Sequence, residues 1–425
     1  MLTTFFKKLK IIVTDKNLMK RIGFILAILI VFRALTAIPV PGVNVTALEQ
    51  FLSNNQFFGF LNIFSGGGLS KLSIVMLGVG PFITASIIMQ LLTLMVPRLK
   101  ELYHESGEMG RRQFNQYSRY LTIAMAAIQG AALLSILASQ GIVAGFPAPQ
   151  AFINVAIVTA GSFLSMWLGE LISEFGIGNG VSIMIFAGIV ARIPRDISQA
   201  LFSYDPSQLP IYLAFLIIAV LIVAAVVMIT EAERPVPVTY AKQQARQGFV
   251  TSSTSSHIPL RMNQAGVMPI IFALSILMFP QMIARAIAGS ANVTLATIGT
   301  SVSTFLGNPL YYGILYFIMV FVFTYFYTAV TFDAPAMANN LQKNGAFVPN
   351  VRPGDATAEY FGRIMTRITF FGALFLAAIA VMPSVFQGIT GNQNFALGGT
   401  ALLIVISVII DLIKKLSAQA SMAEY

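Results

Sequence analysis

Two short stretches, Gly78–Ser86 (GVGPFITAS) and Gly266–Leu274 (GVMPIIFAL), share a pattern that decides the fold of this chain. Both begin with Gly-Val and carry Pro at the fourth position and Ile at the sixth, and both belong to long apolar segments. Two further stretches, Gly180–Ile185 and Gly399–Ile404, each place Ile five residues after Gly. Because these matches fall at equivalent places, they predict that the chain consists of two related halves.

The composition predicts a membrane protein with many spans. Of the 425 residues, 56% are hydrophobic and 10% are charged, whereas a soluble domain carries about 25% charged residues. A spanning helix needs about 20 mostly apolar residues. Ten segments are predicted as spans, near residues 22–40, 73–96, 119–138, 151–172, 181–194, 210–230, 264–284, 309–329, 368–386 and 396–413. Five spans per half is an odd number, so the predicted fold is an all-α polytopic protein whose two five-helix halves are inverted.

The distribution of Lys and Arg predicts the orientation. If the spans alternate in direction, nearly all of the 26 Lys and Arg residues lie on one side of the membrane. The exceptions are Arg33, inside the first span, and four residues on the other side, Lys71, Arg192, Arg195 and Arg285. Because positively charged loops face the cytoplasm, both termini are predicted to be cytoplasmic.

This topology divides the chain into five regions. We predict a cytoplasmic segment at 1–21, an N-terminal half at 22–194, an external hinge loop at 195–209, a C-terminal half at 210–413 and a cytoplasmic tail at 414–425. The C-terminal half includes two cytoplasmic loops, 231–263 and 330–367, which are too long for simple connections. They are either solvated linkers or a docking surface for a cytosolic partner.

The prolines of the repeated stretches, Pro81 and Pro269, each lie inside a predicted span. A proline in a helix interior removes a backbone donor and favours a kink, although membrane helices commonly tolerate proline. We therefore expect matching kinks in two helices that hinge apart.

The sequence offers little for catalysis or ion transport. His104 and His257 lie in cytoplasmic loops, and no cysteine is present, which excludes disulfides and thiolate metal sites. We predict no catalytic residue, no metal site and no cofactor. Arg33 is expected to extend outward from its span, with a functional role as the alternative. Glu170 and Asp411 are expected to have solvated or helix-capping roles near cytoplasmic helix ends.

The predicted spans instead carry branched apolar side chains, which suit a hydrophobic constriction that closes a pore without charges. Each such position could equally face lipid or the protein core. The stretch FLNIFSGGGLSKL, Phe60–Leu72, is too short and too interrupted by glycine to span a bilayer.

Long motifs along the chain resemble the SecY family, the central subunit of the bacterial protein-conducting channel. They are IPVPG, NIFSGGGLSKLSI, GPFITASIIMQLL, ESGEMGRRQFNQYSRY, MWLGELISEFGIGNGVSIMIFAGIVARIP, HIPLRMNQAGVMP and NNLQKNGAFVPNVRPGDATAEY, and they occur in order over nearly the whole chain. The resemblance implies an hourglass of ten helices, hinged between the fifth and sixth spans. It also implies a lateral gate where the second and third spans meet the seventh and eighth.

The resemblance implies three groups of site residues. The pore ring corresponds to Val79, Ile83, Ile185, Ile189, Ile271 and Ile404. The plug, a short helix that closes the external funnel, corresponds to about 60–72 and includes Asn62, Phe64, Ser65, Gly66, Gly67, Gly68 and Leu69. Its glycine run is expected to break the helix and permit displacement. The polar gate residues correspond to Ser86, Gln90, Gln129 and Asn263, which are expected to pair across a closed gate.

The resemblance also implies partners. These are the SecA motor, the ribosome, SecE-like and SecG-like small membrane subunits, signal sequences, nascent secretory or membrane proteins, and the lipid bilayer of a bacterial plasma membrane. SecA or ribosome docking is assigned to Lys242, Arg246 and Arg352. The loop after the sixth span supplies only Lys242 and Arg246 as charges near its YAK motif, where relatives often carry a basic cluster. Contacts to ribosomal phosphates depend on such charges.

Two other classes of protein stay open at this point. A secondary transporter with broken helices requires a polar or ionic substrate site in the middle of the membrane. An insertase or scaffold without a pore requires a hydrophilic groove open to the cytoplasm, for which Arg33 is a poor candidate. The residues favour a passive, non-enzymatic conduit over both.

Overall fold

The computed structural model describes residues 15–40, 58–59, 61–62, 65–104, 107–142, 148–194, 198, 209–240, 255–266, 268–289, 292–390 and 393–423. Several predicted features lie outside these residues. They are most of the N-terminal segment, Phe64 of the plug, nearly all of the hinge loop, and the docking residues Lys242 and Arg246.

Helices dominate the described residues. In chain order they are α1 (Lys16–Leu35), α2 (Gly80–Met95), α3 (Pro97–His104), α4 (Gly107–Ser139), α5 (Ala148–Phe175), α6 (Gly180–Val190), α7 (Leu209–Glu231), α8 (Met268–Ala288), α9 (Val293–Gly307), α10 (Pro309–Thr331), α11 (Ala334–Lys343), α12 (Asp355–Thr390) and α13 (Gln393–Ala423). A short 3-10 turn covers Leu69–Lys71. Three strands are β1 (Glu233–Tyr240), β2 (Ser255–Arg261) and β3 (Ala346–Phe347).

A helix occupies each of the ten predicted spans, namely α1, α2, α4, α5, α6, α7, α8, α10, α12 and α13. Within the described residues, five helices or continuous helix pairs are long and apolar enough to cross a membrane, and a sixth qualifies if α2 and α3 form one bent span. The five are Gly107–Ser139, Pro149–Phe175, Met268–Ala288, Pro309–Lys343 and Asp355–Val385. Membrane crossing by the other predicted segments stays a prediction.

The observed helices differ from the predicted spans mostly at their ends. α4 and α12 begin about three turns before the predicted spans, because hydropathy marks only the apolar part of a helix that continues into polar sequence. α6 has 11 residues, or about 16 Å at 1.5 Å per residue. That is roughly half of the ~30 Å hydrocarbon core, so α6 is a short helix.

The prediction of helix kinks at Pro81 and Pro269 is wrong. Both prolines are the second residue of a helix, in α2 and α8. A proline in the first turn costs nothing, because its missing N–H would have no intrahelical partner there. The prolines inside helices are instead Pro280 in α8 and Pro383 in α12.

The two repeated stretches have the same local structure. Gly78 and Gly266 both adopt the left-handed conformation, with φ of 54° and 61°. In each stretch the helix begins two residues after this glycine. Only glycine adopts positive φ without steric cost, so the shared Gly and Pro encode the same turn into a helix.

The chain packs as two compact units that do not follow the predicted halves. The first unit comprises Met1–Leu216, Leu274–Gly313 and Pro383–Tyr425, and the second comprises Ile217–Ala273 and Ile314–Met382. The division into inverted halves with a hinge at 195–209 stays a prediction.

The core of the first unit joins the segment before α2 to α4. It contains large apolar side chains that are almost fully buried, and its members are Val40, Phe58, Leu61, Leu69, Leu72, Met76, Leu77, Leu133, Ile136, Leu137, Ile142, Val158 and Met282. The tight packing depends on Gly161 of α5, where the backbone of Ile74 lies in the space that a side chain would need. The residues between the 3-10 turn and α2 are therefore fixed by contacts to α4 and α5.

The second unit contains a small sheet that the all-α prediction did not include. β1 pairs antiparallel with β2 from Glu233↔Arg261 to Thr239↔Ser255, and β3 pairs with the end of β1 through Thr239↔Phe347 and Tyr240↔Ala346. The sheet packs over a core formed with α11 and α12, whose members are Val236, Val238, Leu260, Leu341, Ala346, Val348, Phe361, Ile364 and Met365. It joins the two long predicted loops, which are therefore not independent linkers.

Candidate functional site

The predicted plug segment, residues 60–72, is held together by its own polar side chains. The Asn62 side chain accepts a hydrogen bond from the Ser70 backbone N–H at 3.0 Å. The Ser65 hydroxyl donates to the Asn62 carbonyl at 3.0 Å and accepts from the Leu69 N–H at 3.1 Å. Ser65 and Leu69 are fully buried. These bonds satisfy the backbone of a turn that would otherwise bury unpaired groups.

The glycine run has a definite conformation. Gly66 and Gly67 have φ of 63° and 88°, a region that other residues rarely adopt. A Cβ on Gly66 would lie 2.7 Å from the Phe32 ring of α1, and a Cβ on Gly188 of α6 would overlap the Cα of Gly66. The glycines therefore permit a tight turn and a close backbone contact with α6. Displacement of the segment, which the sequence led us to expect, stays a prediction.

Two arginines contact residues at or beside the plug segment. The Arg33 guanidinium of α1 donates a hydrogen bond from Nη1 to the Gly66 carbonyl at 3.1 Å. The Arg285 guanidinium of α8 lies 5.4 Å from the centre of the Phe58 ring, in cation–π geometry. Arg33 was expected to extend outward, and the structure gives its guanidinium a specific acceptor instead.

All six predicted ring residues are buried. Their exposed fractions run from 1% to 6%, for Val79, Ile83, Ile185, Ile189, Ile271 and Ile404. Five of them belong to the first unit, on α2, α6 and α13 and at the residue that precedes α2, and α6 packs against α13. Ile271 belongs to the second unit. Burial alone fits both a ring and an ordinary core, so the ring assignment stays a prediction.

The predicted gate residues form local hydrogen bonds. Gln90 donates to the Ser86 hydroxyl at 3.3 Å, one turn away on α2. Gln129 of α4 donates to the Thr84 hydroxyl of α2 at 3.5 Å, and Asn263 donates to the Gly266 carbonyl at 3.1 Å. Each of these bonds lies within one packing unit. Pairing across a closed gate therefore stays a prediction.

A cavity lies within the first unit, beside the plug segment and three of the predicted gate helices, α2, α4 and α8. Its lining is mostly apolar with three polar side chains, and it consists of Leu61, Leu77, Gly80, Thr84, Gln129, Ser275, Met278, Phe279 and Met282. Methionine side chains are flexible and adapt to apolar groups of different shape. The cavity thus offers an adaptable apolar surface with a few hydrogen-bonding groups.

The two carboxylates singled out in the sequence, Glu170 and Asp411, each form an ion pair. Arg119 of α4 contacts Glu170 of α5 with N–O distances of 2.9 and 3.0 Å. Asp411 and Lys415 of α13 form an ion pair at 2.7 Å, one turn apart. Both carboxylates are partly exposed, with side-chain exposures of 22% and 55%, and both lie inside their helices, so the expected capping role is not observed.

The predicted docking residue Arg352 is exposed, in the turn that precedes α12. Its carbonyl accepts the Thr357 hydroxyl at 2.7 Å, and Gly354 beside it has φ of 94°. These features fix the turn while the guanidinium remains accessible. Lys242 and Arg246 lie in the sequence between the end of β1 at Tyr240 and the start of β2 at Ser255, outside the described residues.

Several residues of the candidate site were missed by sequence reasoning. Thr84 and Ser275 line the cavity, Arg33 bonds to the plug segment, and Gly188 contacts Gly66. Their spacing in the sequence gives no signal for these contacts, since each joins residues that are far apart in the chain. The available signal was the glycine at position 188, inside the apolar helix α6.

Long apolar helices and the hydrogen-bonded plug segment packed against them define an α-helical, multi-pass membrane protein. A family model described as SecY matches residues 73–413. The protein translocase subunit SecY of Mycobacterium leprae (strain TN) is 38% identical over 100% of this chain and 99% of that protein. The one from Pseudomonas aeruginosa is 40% identical over 96% and 92%. The chain belongs to the SecY family.

Solved structures agree on the fold. A structure of a protein-conducting channel matches with a TM-score of 0.65 at 18% identity, covering 95% of this chain and 92% of that one. Sec61 in a canine ribosome–channel complex matches with a TM-score of 0.61 at 18% identity and the same coverage. At this level of identity the likeness supports the fold alone.

Proposed function

We propose that the chain is a protein-conducting channel, which translocates unfolded secretory proteins across the plasma membrane and releases transmembrane segments laterally into the bilayer. The observation that carries this proposal is the close contact of Gly66, in the buried plug segment, with Gly188 of α6. α6 also bears Ile185 and Ile189 of the predicted ring. A structure that matches this chain is described as showing that the plug domain of SecY stabilises the closed state and maintains a membrane seal.

In this proposal the six ring residues form an apolar seal around the translocating chain. Branched apolar side chains suit a cargo of variable chemistry, because they make no hydrogen bonds that a particular sequence must match. The gate residues Ser86, Gln90, Gln129 and Asn263 separate when a signal sequence enters. Their hydrogen bonds contribute only about 0.6–2 kcal/mol each in a membrane, so an apolar helix can replace them. The chain is not an enzyme.

The proposed partners are the SecA motor, the ribosome, and SecE-like and SecG-like small membrane subunits. One structural relative is Sec61 in a ribosome–channel complex, and the curated relatives are translocase subunits. The sheet that joins the two long loops supports a single docking surface with the exposed Arg352 nearby in the chain. Lys242 and Arg246 extend this surface in the proposal.

The chain is a multi-pass membrane protein. We infer that both termini and the β1–β2 hairpin are cytoplasmic, because Lys and Arg are concentrated in the segments on that side. The connection that contains α9 is then external.

A crosslinking experiment tests the conduit directly. Since the chain has no native cysteine, Ile189→Cys provides a single thiol at the predicted ring. A secretory chain that carries one cysteine is stalled midway by SecA in membranes that contain the complex. We expect a disulfide between the two chains that depends on the motor and on ATP.

The matched control is Leu216→Cys, on the predicted span α7, where Leu216 is 61% exposed. A conduit gives a crosslink at Ile189 and none at Leu216. If neither Ile189 nor any other ring position forms a crosslink with an actively stalled chain, the conduit is contradicted.

A further inference from the structure

The helix α9, between the seventh and eighth predicted spans, has an exposed apolar stripe. Leu295, Ile298, Val302 and Phe305 are 44%, 52%, 37% and 50% exposed. Their spacing of three and four residues places them on one face of the helix. The helix sequence, VTLATIGTSVSTFLG, contains no charged residue. A surface helix in water usually presents charged residues on its outer face, so α9 is unusual for a solvated helix.

The opposite face of α9 carries threonines whose hydroxyls are hydrogen-bonded within the helix. Thr297 donates to the Val293 carbonyl at 2.8 Å, and Thr300 donates to the Ala296 carbonyl at 2.7 Å. Thr304 does the same one turn later. Moving a hydroxyl out of bulk water costs less free energy when the hydroxyl already has a hydrogen-bond partner. This face is therefore compatible with the boundary between water and lipid.

A third face fixes the rotation of α9 about its axis. A Cβ on Gly299 would lie 2.5 Å from the carbonyl oxygen of Ala284 and 2.6 Å from the backbone nitrogen of Ala288. The backbones of α9 and the last turns of α8 are thus in close contact, and Leu306 is buried on the same side. Because rotation would break this contact, the apolar stripe keeps a fixed direction.

The stripe continues into the start of the span α10. The rings of Phe305 and Tyr311 are stacked, with centroids 5.0 Å apart and planes 12° from parallel. Leu310 and Tyr311 are 65% and 46% exposed, at the end of a helix that is long and apolar enough to cross a membrane. Tyrosine is enriched where a span meets the membrane surface. The exposed apolar surface of α9 is therefore continuous with the lipid-facing surface of α10.

We propose that α9 is an interfacial helix, which inserts Leu295, Ile298, Val302 and Phe305 into the lipid at the membrane surface where α8 ends and α10 begins. A bilayer fits this surface because the stripe is uncharged, is continuous with a spanning helix and lies opposite a face whose hydroxyls are hydrogen-bonded. The contact anchors the α8–α10 connection in the plane of the membrane. This placement goes beyond translocation and depends only on the chain being a multi-pass membrane protein.

Spin labels at two positions test the placement. The full-length variants Ile298→Cys and Thr300→Cys each carry a single cysteine, and both positions are exposed on different faces of α9. Each variant is labelled and reconstituted in vesicles of phosphatidylethanolamine and phosphatidylglycerol. Oxygen partitions into lipid, whereas a polar nickel complex stays in water. We expect the label at Ile298 to collide more with oxygen than with nickel, and the label at Thr300 to show the reverse.

Two results would overturn the proposal. One is a nickel-dominated signal at both positions, which places the stripe in water. The other is a label at Ile298 that is nickel-accessible in the chain alone and shielded from both reagents in the complex with its small subunits, which means that a protein covers the stripe. Since the readout needs no transport, it decides the placement of α9 whether or not the chain conducts proteins.

Discussion

At the scale of single residues, the packing of the plug segment depends on glycines whose neighbours leave no room for a side chain. Gly66 contacts Phe32 and Gly188, and its carbonyl accepts a hydrogen bond from Arg33. A glycine pair allows two backbones to approach closely, as small residues do between membrane helices. Position 188 is therefore expected to determine how well the segment packs against α6.

We expect Gly188→Ala to displace the plug segment, since the added methyl group would overlap the Cα of Gly66. Overpacking of this kind costs about 1–3 kcal/mol. The variant should have a lower thermal unfolding temperature and a larger ion leak in proteoliposomes. Gly23→Ala is the control, because a Cβ at Gly23 has no neighbour within 4 Å. Equal leak from the two variants would show that this contact does not hold the plug.

Arg33 provides a second test at this scale. The variant Arg33→Gln removes a guanidinium that donates to the Gly66 carbonyl at 3.1 Å. Hydrogen bonds to charged groups contribute about 1.5–3 kcal/mol when buried, and partial exposure reduces this to about 1 kcal/mol. We expect roughly a fivefold rise in channel opening events in planar bilayers, where 1.4 kcal/mol corresponds to about tenfold.

Arg192→Gln serves as the matched control, because Arg192 is partly exposed in the turn after α6. A similar change in both variants would indicate a general charge effect and would contradict a specific role for Arg33.

At the scale of elements, the strand β1 joins two loops that are far apart in the sequence. β2 pairs along its length, and β3 pairs with its last two residues. Pro235 and Pro237 lie in the part of β1 that pairs with β2 alone, so β1 is an edge strand at these positions, where proline is tolerated. The loops are thus positioned together by a core that includes α12.

Phe361 tests whether this core positions the docking surface. It is fully buried among the sheet residues, and Phe→Ala in a core costs about 3–5 kcal/mol. We expect Phe361→Ala to weaken SecA binding, measured with complexes in nanodiscs, and to leave the ion leak unchanged. Phe371→Ala is the control on the same helix, since Phe371 is 63% exposed. Normal SecA binding to the Phe361 variant would contradict the proposed surface.

At the scale of the whole molecule, the orientation depends on the summed charge of many loops. Sided labelling measures it with Thr300→Cys in α9 and Ala418→Cys in α13, both exposed. We expect an impermeant maleimide to label Thr300→Cys from outside intact cells and Ala418→Cys only after the membrane is opened. Labelling of Ala418→Cys in intact cells would reverse the topology.

The sequence by itself determined the helices, the family and the turn that leads into a helix in each of the two repeated stretches. Apolar runs predict helices because the backbone must satisfy its own hydrogen bonds in lipid, and the Gly and Pro of each repeat encode a local conformation. The kinks at Pro81 and Pro269 were wrong because hydropathy does not locate the first residue of a helix. The long-range contacts were decided by the tertiary structure alone, including Arg33 with Gly66, Gly188 with Gly66, and β3 with β1. Such contacts depend on which helix faces meet, and no local pattern in the chain specifies that.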